Sequence, residues 1–530
     1  PGRRGAGARE MMTATRPDRA FATSLVLAAG LLLAALGGCD LAPFYAPPKY
    51  VLPDAWRGQG MFTRAMPGDT LPRGPWWELF GDPVLTGLEQ QLAAQNPTLA
   101  AMYEQYVQAR DNAAIARSGL YPQLNVSGQL SYEKRSQNEP FIQNAQITTA
   151  TNNIVQAGAT WQTDFWDRIR NGERLQARLA QSQAAQVANA RLSLEGQLAS
   201  AYVALRGYDV LAVNYRAAVA NYETSVKVTK LRLQGAIAAG LDVARAEAQL
   251  ASTLALQSAN AVSRTIVEHS IAVLVGANPS TFSIPPQERW TLVNPAPPPM
   301  GVPSQLLERR PDIASAERQM AAANAGIGIT RAAFYPTLTI SPTAGFQDTG
   351  FALASIPNSL WSVGATTFLP LFEGGLRRAE LQQSWSQFAQ TRDTYRAIVL
   401  AAFQQVEDEL ALYASLQGQD VAQAASVAAS NRAQSLTEQL YVGGLITYVE
   451  VVVAQETALL AQISATQTRT AQLQATANLL VAVGGGWSSA ELPTQKGLLP
   501  FEPLDVLHFN REPTPDGTGL ENAAGPNEAP

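Results

Sequence analysis

The chain of 530 residues is poor in the side chains that build reactive centres. It has one cysteine, Cys39, so an intramolecular disulfide is excluded, and its two histidines leave a zinc or haem centre without its usual ligands. Neither His269 nor His508 lies near a glycine-rich nucleophile turn or a metal-spacing partner, which argues against a hydrolase. Charge is sparse as well: only 15% of residues are charged, and 38 Lys+Arg against 43 Asp+Glu leave a net charge of −5. That balance offers no basic footprint for nucleic acid. Beyond the N-terminal segment no run of 18 apolar residues occurs, so the mature chain has no helical membrane span; if it enters a bilayer, it does so as strands.

What is present begins with an address. Arg3, Arg4, Arg9, Arg16 and Arg19 precede the apolar run from Phe21 to Leu36, the pattern of a secretory signal peptide, and residues ahead of Met11 or Met12 read as upstream of the start. Leu36-Gly37-Gly38-Cys39 resembles a bacterial lipobox, which makes Cys39 the acylated first residue of the mature chain. Asp40, directly after it, resembles an inner-membrane retention signal in enteric bacteria.

The most informative feature is an internal repeat. Ala116 to Tyr132 matches Thr330 to Phe346, with Tyr121-Pro122 opposite Tyr335-Pro336. Gly235 and Leu241-Asp242-Val243 match Gly443 and Val449-Glu450-Val451 at a constant step (443 − 235 = 208), which persists to Gly276 and Gly484. Within each half the apolar period changes from helical to two and back. Over about 120–134, Leu124, Val126, Gly128, Leu130 and Tyr132 alternate with Asn125, Ser127, Gln129 and Ser131, and the same alternation recurs near 152–166, 336–348 and 360–372. Four strands result, each long enough to cross an outer membrane when tilted. Four cannot close a barrel, and open edges cannot sit in lipid, so the pattern demands oligomerisation; three copies supply twelve strands. A soluble hairpin pair packed on helices shares the same alternation. Between the strands lie Ala-, Gln- and Leu-rich helices over 171–233, 242–276, 377–441 and 450–483, the longest reaching roughly 90 Å at 1.5 Å per residue. Tyr-Pro stops each helix before a strand, and glycines at 235–240 and 443–444 break the helices at their far ends, forming tips.

Over almost the whole mature chain these residues resemble the TolC-type outer-membrane efflux factors in their lipoprotein branch. The resemblance rests on Cys39-Asp40-Leu41-Ala42-Pro43, on Trp76-Trp77 with Phe80-Gly81-Asp82-Pro83, and most specifically on Leu306 to Arg331 with Glu308-Arg309-Arg310-Pro311-Asp312-Ile313. It implies an α+β membrane protein without enzymatic activity: a homotrimer whose twelve-stranded barrel, four strands per chain, continues as an α-helical coiled-coil tunnel through the periplasm. A periplasmic membrane-fusion adaptor protein and an inner-membrane transporter, usually of the resistance-nodulation-division class, are the implied partners, together with outer-membrane lipid and no nucleic acid. No cofactor is implied beyond the covalent lipid on Cys39. The implied function is the exit duct of a tripartite efflux pump for small molecules; the outlet of a type I protein-secretion system shares the same fold, and a purely structural periplasmic coiled coil remains a third reading.

The family's aperture motif, close to Leu-Asp-Val-Leu-Asp-Ala-Gln, meets Val449-Glu450-Val451-Val452-Val453-Ala454-Gln455 here, so Glu450 matches the first acid and Val453 replaces the second. Asp242 and Arg245 stand at the related place in the first repeat. Asp242, Arg245, Glu450 and Val453 are the candidate aperture residues, and the tips with Gly235, Gly240, Gly443 and Gly444 are the candidate adaptor contacts. The expected organisation is signal peptide 1–38, lipidated segment 39–75, first repeat 76–276, linker 277–301, second repeat 302–484, and a final segment 485–530 whose end reads as disordered.

Overall fold

The computed structural model describes residues 39–48, 75–134, 149–295, 309–350, 352, 355–494 and 497–498. The expected signal peptide, most of segment 39–75, the end of the linker and the C-terminal tail lie outside the described residues. In chain order the main elements are α1 (Pro83–Gln95), α2 (Pro97–Ser118), β1 (Gln123–Lys134), β2 (Thr149–Thr163), α3 (Arg168–Gln234), α4 (Gly240–Leu274), α5 (Pro311–Ala332), β3 (Thr337–Asp348), β4 (Ser359–Phe368), α6 (Leu376–Val442) and α7 (Tyr448–Ala482). The internal repeat holds to the residue. From α3 onward each helix of the first half recurs at the same step (376 − 168 = 208), and α2 and β1 recur as α5 and β3 at a slightly larger one (337 − 123 = 214). The chain divides into two compact units.

One unit holds the sheet, with residues 116–174 and 324–385 and the described part of the N-terminal segment up to Phe44. Its four strands are antiparallel in the order β1-β2-β3-β4. Because successive side chains of a strand point to opposite faces, the register sorts the residues into rows. Val126, Ala157, Ala344 and Trp361 form an apolar row across all four strands, and Asn125, Gly158, Thr343 and Ser362 form the polar row beside it on the other face. In the polar row Thr343 and Ser362 join hydroxyls at 2.7 Å. The β2–β3 ladder skips Ala159 and Thr160 between Gly158–Thr343 and Trp161–Ile340. Pro342 stands at that gap and has no N–H to offer the neighbouring strand.

Strand ends differ from the expected ones for local reasons. β1 starts at Gln123, because the N–H groups of Leu120 and Tyr121 still bond the last turn of α2 at Arg117 O and Ser118 O. β2 stops at Thr163, since the Asp164 carboxylate accepts from the N–H groups of Ile169 and Arg170, both at 2.9 Å, and so caps α3. β4 stops at Phe368, opposite Thr337, where β3 begins.

The second unit is helical and is built around a core of Trp76, Phe80, Leu85 and Leu92 with Leu198, Tyr202, Ile271 and Leu480. Its polar network binds the linker to the helices: Asp209, 3% exposed, accepts from Arg206 at 2.9 Å, from Arg264 at 2.6 Å and from the N–H of Gln287 at 3.1 Å. A buried acid with this many donors is satisfied. Both repeats end their last helix alike. Gly276 and Gly484 turn the chain at φ 74° and 99°, and a Cβ at either would strike the backbone carbonyl of Gln95 or Arg309 respectively. The freed carbonyls are then capped by counterpart residues of different chemistry: Asn96 donates to Leu274 O at 2.7 Å, and Arg310 to Ala482 O at 2.9 Å.

Glu89 departs from this satisfaction. It is fully buried on α1, neither carboxylate oxygen has a hydrogen-bond partner, and burial, with the nearby Glu195 charge, pushes it up to about 9. In an unfolded chain it titrates near 4.3. The native state thus keeps a proton that the unfolded state releases, so the group costs nothing below about pH 4 and progressively more as pH rises toward 9. Glu89→Gln should leave the thermal midpoint nearly unchanged at acid pH and raise it at pH 8.5; a thermal denaturation series across that range checks this.

Candidate functional site

The two helix tips belong to the helical unit and close by the same hydrogen-bond scheme. At the first, Gly235 N–H bonds Leu231 O, Ala236 N–H bonds Leu233 O and Ile237 N–H bonds Arg232 O; at the second, Gly443, Gly444 and Leu445 do the same with Gln439, Tyr441 and Leu440. Each is a helix C-terminus finished by one left-handed residue. That residue is Gly444 at φ 78° in the second tip but Ala236 at φ 56° in the first. Gly235 and Gly443, marked in the sequence, each stand one residue earlier, and Gly240 opens α4.

The aperture candidates fall into two pairs. Asp242 and Arg245 meet on one face of α4, 3.9 Å apart, with Asp242 in the first turn, where a helix favours an acid. Arg245 is exposed, and an ion pair of that kind is worth only about 0–1 kcal/mol. Glu450 and Val453 lie one turn apart at the start of α7, both exposed, Val453 by 57%. A bare valine beside a bare glutamate gives α7 an edge that is part apolar and part acidic.

A third set of residues joins the two hairpins, and the sequence pattern alone does not single it out. Arg232, in the last turn of α3, donates to the carbonyls of Tyr441 at 2.7 Å and Val442 at 3.3 Å, which end α6. Its guanidinium also lies 4.5 Å from the Tyr441 ring centre, and that ring packs on Tyr448 at 5.2 Å. A cation capping a helix C-terminus answers the negative end of the helix dipole. Burial pushes the Tyr448 hydroxyl up to about 12, and Tyr441 is raised as well, so both rings stay neutral. Deeper in, Gln455 donates to Ser225 and Glu438, both at 3.0 Å, below a groove of about 190 Å³ flanked by Asn221, Tyr441 and Val451. The signal that could have found this set is the pair of tyrosines flanking Gly443-Gly444 with an arginine at the end of the preceding hairpin's first helix.

In the sheet-bearing unit, Cys39 is exposed and its N–H bonds Phe165 O at 3.0 Å. Asp40 accepts from the N–H of Ala42 at 2.9 Å, from Asn171 at 3.0 Å and from Arg174 at 2.6 Å. Burial alone would raise its carboxyl, but these bonds and the Arg174 charge hold it below the usual carboxylate range. Arg331 donates to Leu41 O and Asn324 to Pro43 O, so the segment is strapped along α5.

A sheet with one apolar and one polar face, in a chain whose two repeats each also form helices of 67 and 35 residues, is the set of elements from which an outer-membrane channel with a helical duct is built. The chain belongs to the family described as outer membrane efflux protein, whose pattern matches residues 88–277 and 302–485. It is 30% identical to the pyoverdine export outer membrane protein OpmQ of Pseudomonas aeruginosa over 471 residues, covering 86% of this chain and 95% of that protein. Nodulation protein T of Rhizobium leguminosarum bv. trifolii is 28% identical over 465 residues, 86% and 96% of the two chains. Among solved structures the outer-membrane channel OprN matches with a TM-score of 0.79 at 24% identity, covering 85% of this chain and all of that one. The open-state MtrE channel of Neisseria gonorrhoeae matches at 0.75 and 23%, covering 85% and 99%. The protein is an outer-membrane efflux channel, the exit through which an export system discharges its cargo.

Since an alanine held at positive φ costs about 1–2 kcal/mol, Ala236→Gly should stabilise the first tip by about 1 kcal/mol. Slower amide hydrogen exchange in residues 231–240 of the variant, with the second tip unchanged, is the expected reading.

Proposed function

We propose that three copies assemble into a twelve-stranded barrel whose lumen continues between the long helices, and that this duct receives small organic molecules from a periplasmic adaptor and an inner-membrane transporter of the resistance-nodulation-division class. One observation carries the reading: the sheet ends in two open edges, β1 and β4, while its apolar face carries exposed Leu124, Val126, Trp361 and Val363. Such edges in lipid require further copies, because unpaired N–H and C=O groups there cost several kcal/mol each. Transport of small molecules is supported by the names of the relatives, which include a pyoverdine exporter, a toluene efflux pump component and an antibiotic efflux pump component. The duct performs no catalysis of its own and needs no cofactor; a lipid on Cys39 anchors it beside the barrel.

The tips form the regulated end. Glu450 and Val453 line the narrowest point, Asp242 and Arg245 stand behind them, and the turns at Gly235, Gly240, Gly443 and Gly444 meet the adaptor. Arg232 holds the closed arrangement, because moving α6 and α7 outward breaks its two bonds to the α6 terminus and its contact with Tyr441. A charged donor pair of this kind is worth about 1.5–3 kcal/mol, so its loss shifts an open–closed equilibrium roughly tenfold or more.

Single-channel recording in planar bilayers tests this. Wild type should show small, mostly closed conductances, Arg232→Ala should raise the open fraction about tenfold, and Glu450→Ala and Asp242→Ala should raise it less. A folded, inserted protein that never conducts, even with Arg232 removed, would end the duct reading.

A further inference from the structure

The internal repeat fixes more than the fold of one chain, because it relates the strand junction inside the chain to the junction between copies. Within the repeat, β1 maps onto β3 at a step of 214 (337 − 123 = 214), and the two hairpin registers map β2 onto β4 at a step of 208 (365 − 157 = 208): Val126 lies opposite Ala157, and their images Ile340 and Ala365 lie opposite each other. The β2–β3 junction is formed in the chain, with Ala157 opposite Ala344. Its image under the same mapping joins β4 to β1, two strands that stand at opposite edges of the sheet and have no partner between them.

We propose that β4 of one copy pairs antiparallel with β1 of a second copy in the register that places Ala365 opposite Leu130 of the neighbouring copy. The inference rests on the assembly of copies argued above and adds the residue pairing to it. The same register sets Val363 opposite Tyr132, Leu369 opposite Val126 and Leu371 opposite Leu124, while Thr366 meets Gln129 on the other face. Every pair joins like with like. A slip of one residue would set each apolar side chain against the polar face, which register in a two-faced sheet forbids.

An independent feature agrees. In the chain, β2 runs past the start of β1: Gln123 is opposite Thr160, and Trp161 to Thr163 pair only with β3. The images of those three residues are Leu369, Pro370 and Leu371, which follow the end of β4 at Phe368 and have no strand beside them in one copy. Leu371 is accordingly 91% exposed, and its designated partner Leu124 is 83% exposed. The register supplies both with a neighbour, so the exposed leucine after β4 is the continuation of the intermolecular strand.

Cysteine cross-linking in the full-length, membrane-inserted protein tests the register. Opposed residues of antiparallel strands have Cβ atoms about 4.5–5.5 Å apart, near the separation a disulfide needs. Two double variants, Leu130→Cys with Ala365→Cys and Gln129→Cys with Thr366→Cys, cover both kinds of antiparallel pair. Two controls, Gly128→Cys with Ala365→Cys and Ser127→Cys with Thr366→Cys, shift the register by two while keeping the faces. Mild oxidation should join copies into two- and three-chain species at least tenfold faster in one of the first pair of variants than in either control. Faster joining in a control, or an intact non-covalent trimer in which neither designated pair joins, overturns the register and leaves the assembly standing. A protein that is monomeric in the membrane and joins at no pair overturns both.

Discussion

The hydrogen-bonding demand of the peptide group in a medium without water governs this molecule. A strand pair in lipid is stable only when both outer edges are occupied, and a chain that contributes four strands leaves two edges bare. The alternation of side chains follows from the same demand: one face must suit hydrocarbon and the other a wet interior, so apolar and polar rows run side by side across all four strands. Even the exception conforms. Pro342 breaks the ladder between β2 and β3, where it lacks the donor, and the pairing resumes within three residues at Trp161.

The helical unit answers a different problem, that of holding very long helices in place with few charges. Part of its solution is a set of polar contacts where chain direction changes. The linker is pinned through Asp209, Arg206 and Arg264, the ends of α4 and α7 are capped by Asn96 and Arg310, and the tips are tied by Arg232. Two copies of one ancestral unit have kept the glycine at each helix end but replaced the cap, an amide in one and a guanidinium in the other. The left-handed tip residue has diverged too, glycine in one half and alanine in the other. Divergence of this kind is where the two hairpins acquire unequal roles: Arg232 reaches from the first hairpin to the second, and its image in the second half is Leu440.

Most of this architecture was legible in the sequence because it is periodic. Alternation of two identified the four strands, and the matched Tyr-Pro and glycine positions identified the repeat, since proline and glycine act locally on the backbone. Strand ends were less legible: whether residues 164–166 continue β2 depends on Asp164 turning back to cap α3, a choice made by a side chain and not by a period. The tip contacts were the least legible. Arg232 and Tyr441 are joined across about two hundred residues of chain; the tyrosines flanking Gly443-Gly444 mark one side of the contact, but nothing local ties them to Arg232. Among the expected aperture residues, Asp242 and Arg245 are brought together and Glu450 and Val453 share an exposed face, whereas the residues that bind hairpin to hairpin are others.

Asp40 carries one last implication, concerning the order of events. In the folded protein its carboxylate accepts from the N–H of Ala42, from Asn171 and from Arg174 while the side chain stays 45% exposed, and the carbonyls of Leu41 and Pro43 are taken by Arg331 and Asn324. A receptor that inspects the residue after Cys39 meets a carboxylate that is reachable but already paired with Arg174. Anything that binds this carboxylate in the folded protein has to compete with Asn171 and Arg174, a competition absent from the chain before α3 has formed.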